Sequence, residues 1–348
     1  ATVSVVGQVK AGKSSLVNAL TGVGDLLPTE VNPWTAVVTN LNFGHPGRAP
    51  GSGIFAMFSE EEWARMLEGG TESRRIAEEL LPGFRSDVLT RQVEEMQEKA
   101  RTRLGDLYRF LLGKEHRFNE ITPEVLAKYV SAGHGTPGAP IGQVGRFSCI
   151  TKSADVFLEP GPFAIPVTVS DTPGINDPFL VRDELTTRSF RDADVFVVAL
   201  SAHQVLNAAD VALLKLLSYQ ARKKTVVFVN RIDELDDPAR DVPRLVAALS
   251  ERLSAEIGEG HEIVAGCAEW GRIARSGSEA ERRAAAGSEA FRDYAASLGL
   301  GSGTAPGEAL LAASGLPALA DALSRFIMEA KTKPLLGECI AEALSGMD

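Results

Sequence analysis

The chain has 348 residues, of which 44% are hydrophobic and 24% are charged, as in ordinary soluble globular proteins. Its formal net charge of −10 argues against broad nucleic-acid binding, which needs a basic surface. The three cysteines (Cys149, Cys267 and Cys339) lie far apart without metal-ligand spacing, and no apolar run is long enough to cross a bilayer. We therefore expect reduced thiols in a cytoplasmic protein without a signal peptide.

The first predicted elements are a strand, a glycine loop and a helix. Residues 2–6 are a β-branched run typical of a buried strand, and residues 15–20 begin a helix. Between them, GQVKAGKSS fits G-x-x-x-x-G-K-[ST], a loop whose backbone N–H groups bind phosphate. Lys13 is expected to reach the β- and γ-phosphates, and Ser14 to ligate Mg²⁺. We assign nucleotide binding to the whole loop, that is to Gly7, Gln8, Val9, Lys10, Ala11, Gly12, Lys13, Ser14 and Ser15.

A second motif follows a predicted strand at residues 165–170. This strand ends in DTPG, residues 171–174. A carboxylate beside the P-loop strand can hold Mg²⁺ through water, so Asp171 is a candidate metal residue. The N–H of Gly174 would contact the γ-phosphate.

A third motif specifies the base. Residues 194–200 and 225–229 predict two more buried strands, and the second ends in NRID, with Asn230, Arg231 and Asp233. A carboxylate at Asp233 can accept hydrogen bonds from the N1–H and 2-amino groups of guanine, a donor pair that adenine lacks. The order P-loop, DTPG, NRID is the pattern of the GTPase superfamily and predicts a GTP site.

The switch I region narrows the family. LLPTEVNPWTAVVT (residues 26–39) precedes a predicted strand at 36–43. Together with the P-loop segment, DTPGIND and SAHQVLN (residues 201–207), it resembles the bacterial dynamin-like large GTPases over residues 1–44 and 145–270. The resemblance implies a membrane-associated mechanochemical GTPase that uses GTP/GDP and Mg²⁺. Its G domains would dimerise across the nucleotide, and lipid binding would come through parts outside this chain.

Two site assignments rest on this resemblance. Switch I needs a threonine that ligates Mg²⁺, and of Thr29, Thr35 and Thr39 we favour Thr35, although the family often has two adjacent threonines where this chain has Trp34-Thr35. The glutamines that orient water in other GTPases are replaced by Ile175 and Val9.

Lys10 occupies a loop position where guanylate-binding proteins carry an arginine finger. It is therefore a candidate catalytic residue together with Lys13, Thr35 and Gly174. The alternative is a solvated loop charge or a salt bridge in a dimer.

Residues 45–144 are interpreted as a mainly helical insertion. Its longest predicted helix, residues 87–112, has an apolar stripe formed by Leu89, Val93, Met96, Ala100, Leu104, Leu107 and Leu111. A helical subdomain packed on the G domain is one interpretation, and a helix that binds a partner or lipid is the other. The polar face carries both positive and negative charges, whereas a helix that binds a membrane surface is rich in Lys and Arg, so the lipid-binding interpretation is disfavoured.

The remaining chain completes the GTPase domain, assigned to 1–44 and 145–300. A helix is predicted at 241–257 and a last core strand at 261–268, where the resemblance places Cys267 and Ala268 in the loose fifth guanine motif. Residues 269–298 are expected to be helical. The C-terminal helical segment, 301–348, contains a final helix from residue 316 to 344, which by resemblance would begin a bundle in a longer protein.

The expected fold is α/β: a P-loop G domain with a mostly parallel central sheet, helices on both faces and one antiparallel strand near the edge. A GTP-regulated switch or ribosome- or protein-binding GTPase with slow hydrolysis, and a nucleotide-binding scaffold, remain alternatives to the dynamin-like function. No nucleic-acid partner is expected for so acidic a chain. Peripheral membrane association would accompany the dynamin-like interpretation.

Overall fold

The computed structural model describes residues 1–24, 26–27, 37–68, 86–131, 144–161, 163, 165–172, 193–218, 224–258, 261–301 and 303–345. Within them, one sheet contains the strands β1 (Thr2–Gly7), β2 (Val38–Phe43), β3 (Gly53–Met57), β4 (Glu115–Phe118), β5 (Thr151–Leu158), β6 (Val167–Asp171), β7 (Val195–Ser201), β8 (Lys224–Asn230) and β9 (Glu262–Ala265). Their spatial order is β4-β3-β5-β2-β6-β1-β7-β8-β9.

Five neighbouring strands, β6, β1, β7, β8 and β9, are mutually parallel. Strand β2 is antiparallel to β6 and parallel to β5, and β3 is antiparallel to both β5 and β4. The expected mostly parallel sheet is confirmed. We expected a single antiparallel strand near the edge. The edge strand β4 does run against the P-loop strand, but so do β2 and β5 inside the sheet.

The described helices are α1 (Lys13–Thr21), α2 (Glu60–Glu68), α3 (Ser86–Leu104), α4 (Tyr108–Leu111), α5 (Pro123–Val130), α6 (Ala208–Leu216), α7 (Pro238–Ile257), α8 (Ala268–Ser276), α9 (Glu279–Ala286), α10 (Glu289–Ser297), α11 (Pro306–Ala313) and α12 (Leu316–Ser345). Short 3₁₀ turns lie at Gly105–Leu107 and Ile232–Glu234. Helix α11 was not anticipated from the sequence, which places a glycine-rich break before the last helix.

Alternating strand residues supply two apolar cores, one on each face of the sheet. Val5 and Val197 point to the core that contains α1 and α12, and Val6 and Val198 point to the core that contains α6, α7 and α10. Helices therefore cover both faces, as expected from the sequence. This arrangement leaves the carboxyl ends of the parallel strands free to build a site at one edge.

The segment from 45 to 144 contains strands as well as the expected helices. Strands β3 and β4 belong to it and extend the central sheet beyond β5. Its helices α3 and α5 contribute buried residues to the same core as α1, including Met96, Ala100 and Leu126. The segment is thus packed into the G domain, and its description as mainly helical missed two strands.

The predicted 87–112 helix is shorter than expected. Helix α3 ends at Leu104, and Gly105 then adopts a left-handed φ of 59°, which redirects the chain. Met96, Ala100 and Leu104 are buried as predicted, whereas Leu107 is 68% exposed because it lies beyond this break. The side chains of Leu89 and Val93 lie outside the described part of the molecule.

The C-terminal helices pack on the G domain. Leu316, Leu319 and Leu323 of α12 are fully buried against the sheet. Among the described helices, none is long and apolar enough to span a bilayer alone; α11 and the Leu316–Thr332 part of α12 reach that standard only when counted together across a 50° bend.

Candidate functional site

The P-loop connects β1 to α1 and depends on close backbone approach at two glycines. A Cβ on Gly7 would overlap the carbonyl oxygen of Ala199 in β7, and a Cβ on Gly12 would overlap the carboxamide of Asn230. Gly12 also has a φ of 80°, a left-handed conformation that favours glycine. The two glycines therefore allow the loop to lie directly against β7 and β8.

Lys13 begins α1, and its side chain folds back into the loop. Its Nζ donates hydrogen bonds to the carbonyl oxygens of Gly7 (3.2 Å) and Gln8 (2.9 Å), and the residue is 8% exposed. The ammonium thus lies inside the ring of backbone groups that a phosphate would enter. The helix N-terminus adds a positive partial charge at the same place.

Ser14 and Asp171 meet beside this loop. The Ser14 hydroxyl donates to Asp171 Oδ2 at 2.6 Å. The other carboxylate oxygen, Oδ1, is buried and accepts no hydrogen bond from the residues that the structure describes. Burial raises the pKa of the Asp171 carboxyl, while Lys13 and the Ser14 hydroxyl act in the opposite direction.

This pair fits a magnesium ion. Hard cations prefer hydroxyl and carboxylate oxygens, and an unsatisfied buried carboxylate oxygen next to a P-loop hydroxyl is costly without a cation or water. The residues present would therefore hold Mg²⁺ directly through Ser14 and through water from Asp171.

Asn230 joins three segments of the site at the end of β8. Its Nδ2 donates to the carbonyl of Ala11 in the P-loop at 3.1 Å, and its Oδ1 accepts from the N–H groups of Ala268 and Arg231, each at 2.9 Å. The residue is 2% exposed. Because each contact needs a carboxamide donor or acceptor, Asn230 fixes the P-loop against the loops after β8 and β9.

Asp233, in the short 3₁₀ turn after β8, lies next to Cys267, in the loop after β9. Burial and the neighbouring Asp233 carboxylate raise the pKa of the Cys267 thiol, which stays protonated. The Cys267 sulfur accepts a hydrogen bond from Trp270 N–H and caps α8, which begins at Ala268. The loop after β9 therefore meets the loop after β8 through Cys267 and Asp233.

Arg231 lies at the rim of the site. It adopts a left-handed φ of 67°, and its guanidinium lies 3.4 Å from Glu234 Oε1. Glu234 also contacts His203 Nε2 at 2.7 Å, and all three side chains are substantially exposed. The structure therefore places the Arg231 side chain on the outer surface of the NRID loop.

The other predicted site residues divide into two groups. Lys10 is exposed with a left-handed φ of 69°, and Val9 and Ser15 are partly buried in the loop and at the start of α1. Thr35 and Gly174 lie outside the described residues, as do Thr29, Trp34 and Ile175. Thr39, the third switch I candidate, is buried in β2, where its hydroxyl faces the Val37 carbonyl at 3.5 Å.

Two site-supporting residues were missed from the sequence. Asp210 accepts a hydrogen bond from the Gln8 side chain at 2.7 Å. The carbonyl of Ser314 accepts from Cys267 N–H at 3.0 Å, and a Cβ on Gly266 would overlap that carbonyl. Asn207 and Asp210 do match a capping-box spacing that could have been noticed, whereas no local signal marks Ser314.

The fold and the glycine loop define a P-loop nucleotide-binding domain, with a candidate cation site at Ser14 and Asp171 and a candidate base-reading carboxylate at Asp233. The chain belongs to the dynamin family, whose model matches residues 3–232, well over half of the chain. Membership supports GTP binding and hydrolysis. A search of curated proteins found no match.

Solved structures show the same fold. Two structures of an oligomerised bacterial dynamin pair, described as providing a mechanism for long-range sensing and tethering of membranes, match 99% of this chain at 19% identity, with TM-scores of 0.56 and 0.55. The matches cover 44% and 52% of those proteins, so the chain spans about half of their length.

Proposed function

We propose that this chain is the GTPase domain of a dynamin-family protein and hydrolyses GTP to GDP and phosphate. The Asn230 link carries this proposal. Its carboxamide donates to the P-loop carbonyl of Ala11 and accepts from the N–H of Ala268, which supports a single site that includes the phosphate loop and the loop after β9.

Asp233 would select guanine. A carboxylate in this position accepts the N1–H and 2-amino donors of guanine and is left unpaired by adenine, which disfavours ATP. Cys267 and Ala268 would flank the base from the loop after β9. Arg231, which turns outward to Glu234, would contribute through its backbone position only.

The phosphate side supplies the hydrolytic step. Lys13 would move its hydrogen bonds from loop carbonyls to the β- and γ-phosphate oxygens, while Ser14, Asp171 and Thr35 would hold Mg²⁺. The bound cation would neutralise charge on those oxygens. Water would attack the γ-phosphorus while the bond to the bridging β-phosphate oxygen breaks. GDP would leave with the electron pair of that bond, and the proton of the water would pass to the phosphate product or to solvent; Gly174 N–H would orient the γ-phosphate.

Lys10 is the residue through which self-association would raise the rate. Its side chain is exposed at the loop, where a partner G domain could order it over the phosphates. An arginine finger is worth about 10³–10⁵ in rate, and a lysine, which lacks the bidentate fork, should give less. The same dimerisation would couple hydrolysis to membrane remodelling carried out by other parts of the protein.

GTP and ATP turnover per molecule, measured with Mg²⁺ over a protein concentration series, tests the proposal. Turnover specific for GTP that rises with concentration supports it. Flat, slow turnover with tight GTP binding would instead support a GTP-regulated switch, and absence of guanine-nucleotide binding would refute the proposal altogether.

Lys10 variants test the finger separately. Lys10→Gly removes the charge and also relieves the left-handed backbone, so a loss of stimulated turnover cannot come from added strain. Lys10→Arg should retain stimulation. If stimulated turnover is unchanged in Lys10→Gly, Lys10 does not act as a finger. The proposal that the loop binds nucleotide would still stand.

A further inference from the structure

The side chain of the second P-loop residue is tied to the helix that follows β7. Gln8 Nε2 donates to Asp210 Oδ1 at 2.7 Å, across 202 positions of sequence. Asp210 is 2% exposed, so this is a buried carboxylate facing a loop that itself binds anions. Burial of a carboxylate is unfavourable unless its oxygens are paired.

Asp210 is held rigidly from its own side. Its second oxygen, Oδ2, accepts the N–H of Asn207 at 3.1 Å, and Asn207 Oδ1 accepts the N–H groups of Ala209 and Asp210. These contacts form a complete capping box at the start of α6. One oxygen is therefore enough to cap the helix, and the other is available to Gln8.

The backbone of Gln8 in turn holds Lys13. The Gln8 carbonyl accepts from Lys13 Nζ at 2.9 Å, and the same carbonyl accepts Ala11 N–H at 3.3 Å. A rotation of Gln8 would therefore displace both the ammonium and the central turn of the loop. The contacts form a continuous chain from Asp210 through Gln8 to Lys13.

We infer that Asp210 is a positioning residue for the phosphate-binding loop, which acts through Gln8 to place the Lys13 ammonium at the β-phosphate. The inference rests on the proposed GTP-binding function and adds a residue outside the motifs that predict it. Because Lys13 serves the β- and γ-phosphates, the effect should be specific to them.

The first experiment measures the affinities of GDP and GMP for the wild-type chain and for Asp210→Ala. GDP affinity should fall about tenfold, the worth of one hydrogen bond to a charged group. GMP lacks the β-phosphate, so its affinity should change little, and the GMP-to-GDP ratio of dissociation constants should shrink. The matched control is Glu281→Ala, which removes the acidic residue from the corresponding capping box of α9.

A charge exchange tests the contact itself. Gln8→Glu alone places two carboxylates at hydrogen-bond distance and should weaken GDP binding at least as much as Asp210→Ala. Adding Asp210→Asn should restore binding, because the new carboxamide can accept from Asn207 N–H and donate to the carboxylate introduced at position 8. Melting temperatures of all variants report folding, and the Gln8 variants keep the test independent of any folding loss in Asp210→Ala.

The possible outcomes distinguish a failure of the proposed function from a failure of the positioning role of Asp210. If wild type binds no GDP, the proposed function fails and this inference with it. If wild type binds GDP but Asp210→Ala binds it equally well, or loses GDP and GMP in parallel, or the charge exchange gives no recovery, the positioning role is overturned while the proposed function stands.

Discussion

The two halves of the sheet differ in what their strands carry. In the parallel half (β6, β1, β7, β8 and β9), the strand ends lead into the P-loop, Asp171, the NRID loop and the Cys267 loop. The extended half (β2, β5, β3 and β4) has none of these motifs. Its strands instead carry polar and aromatic side chains that pair with one another.

The extended half is held by two clusters. Phe55 is fully buried and stacks on Tyr129 with ring centroids 4.0 Å apart, while His116 Nδ1 lies 2.8 Å from the Tyr129 hydroxyl. On the neighbouring strands, Asn40 donates to Asp155 at 3.0 Å. Both halves contribute buried residues to the core, but the candidate site lies in the parallel half alone, so substitutions in the extended half should change stability without changing nucleotide binding.

The largest expected effect is on stability, from the extended half. Phe55→Ala removes a fully buried ring and should lower the free energy of unfolding by about 3–5 kcal/mol. Denaturant unfolding measures this loss. The dissociation constant of GDP for the folded fraction should stay at the wild-type value, and a parallel loss of affinity would break the separation between the two halves.

The next effect belongs to the parallel half. Lys13→Ala should weaken GDP binding by about a hundredfold, roughly 2.7 kcal/mol, because the loop loses the ammonium directed at the β-phosphate. Fluorescence titration with labelled GDP measures it. Lys215→Ala is the control: its solvent-exposed pair with Glu256 should contribute little to stability and nothing to binding.

Two asparagines allow a matched comparison between the halves. Asn230→Ala breaks the links to Ala11 and Ala268 and should weaken GDP binding about tenfold. Asn40→Ala breaks the hydrogen bond that Asn40 donates to Asp155 and the one that it accepts from the Ser170 hydroxyl, and should reduce only the melting temperature. Equal effects of the two substitutions on GDP affinity would contradict the assignment of Asn230 to the site.

The smallest effect concerns pH and a salt bridge of the extended half. The pKa of Glu62 is lowered: burial opposes this shift, but hydrogen bonds from Lys152 and from Ser59 N–H outweigh it. A lowered carboxyl pKa stabilises the fold above the unfolded-state value and loses that contribution as pH falls through the folded value.

Glu62→Gln should therefore destabilise the chain by about 1 kcal/mol at neutral pH. The difference from wild type should shrink in acid, where Glu62 itself is protonated. Thermal unfolding at several pH values measures the trend. A difference that grows towards low pH would contradict this sign.

The parallel half was predictable from sequence for physical reasons. Its strands are largely continuous apolar runs because both faces are buried, and three of them end at residues of recognisable motifs, Gly7, Asp171 and Asn230. Strand β4 offers no such signal: Glu115–Phe118 is short, and both Glu115 and Arg117 are exposed at the sheet edge. Only its pairing with β3 reveals it as a strand.

Local sequence patterns could not predict the contacts that support the site. Gln8 follows β1 and contacts Asp210 in the helix after the neighbouring strand β7, and Cys267 contacts Ser314 at a turn between two helices, so neither pair is close in sequence. Similarly, the predicted 87–112 helix ends early because Gly105 adopts a left-handed conformation, which the spacing of apolar residues does not predict. Such contacts follow from tertiary packing.

One substitution tests directly whether the site recognises guanine through Asp233. Asp233→Asn replaces a double acceptor by a carboxamide that can donate to the 2-carbonyl of xanthine. Titrations with GDP, ADP and xanthosine diphosphate should show wild type preferring GDP, and the variant losing at least about a hundredfold in GDP affinity while gaining xanthosine diphosphate. Unchanged GDP affinity in the variant, or equal binding of ADP and GDP by wild type, would contradict the account.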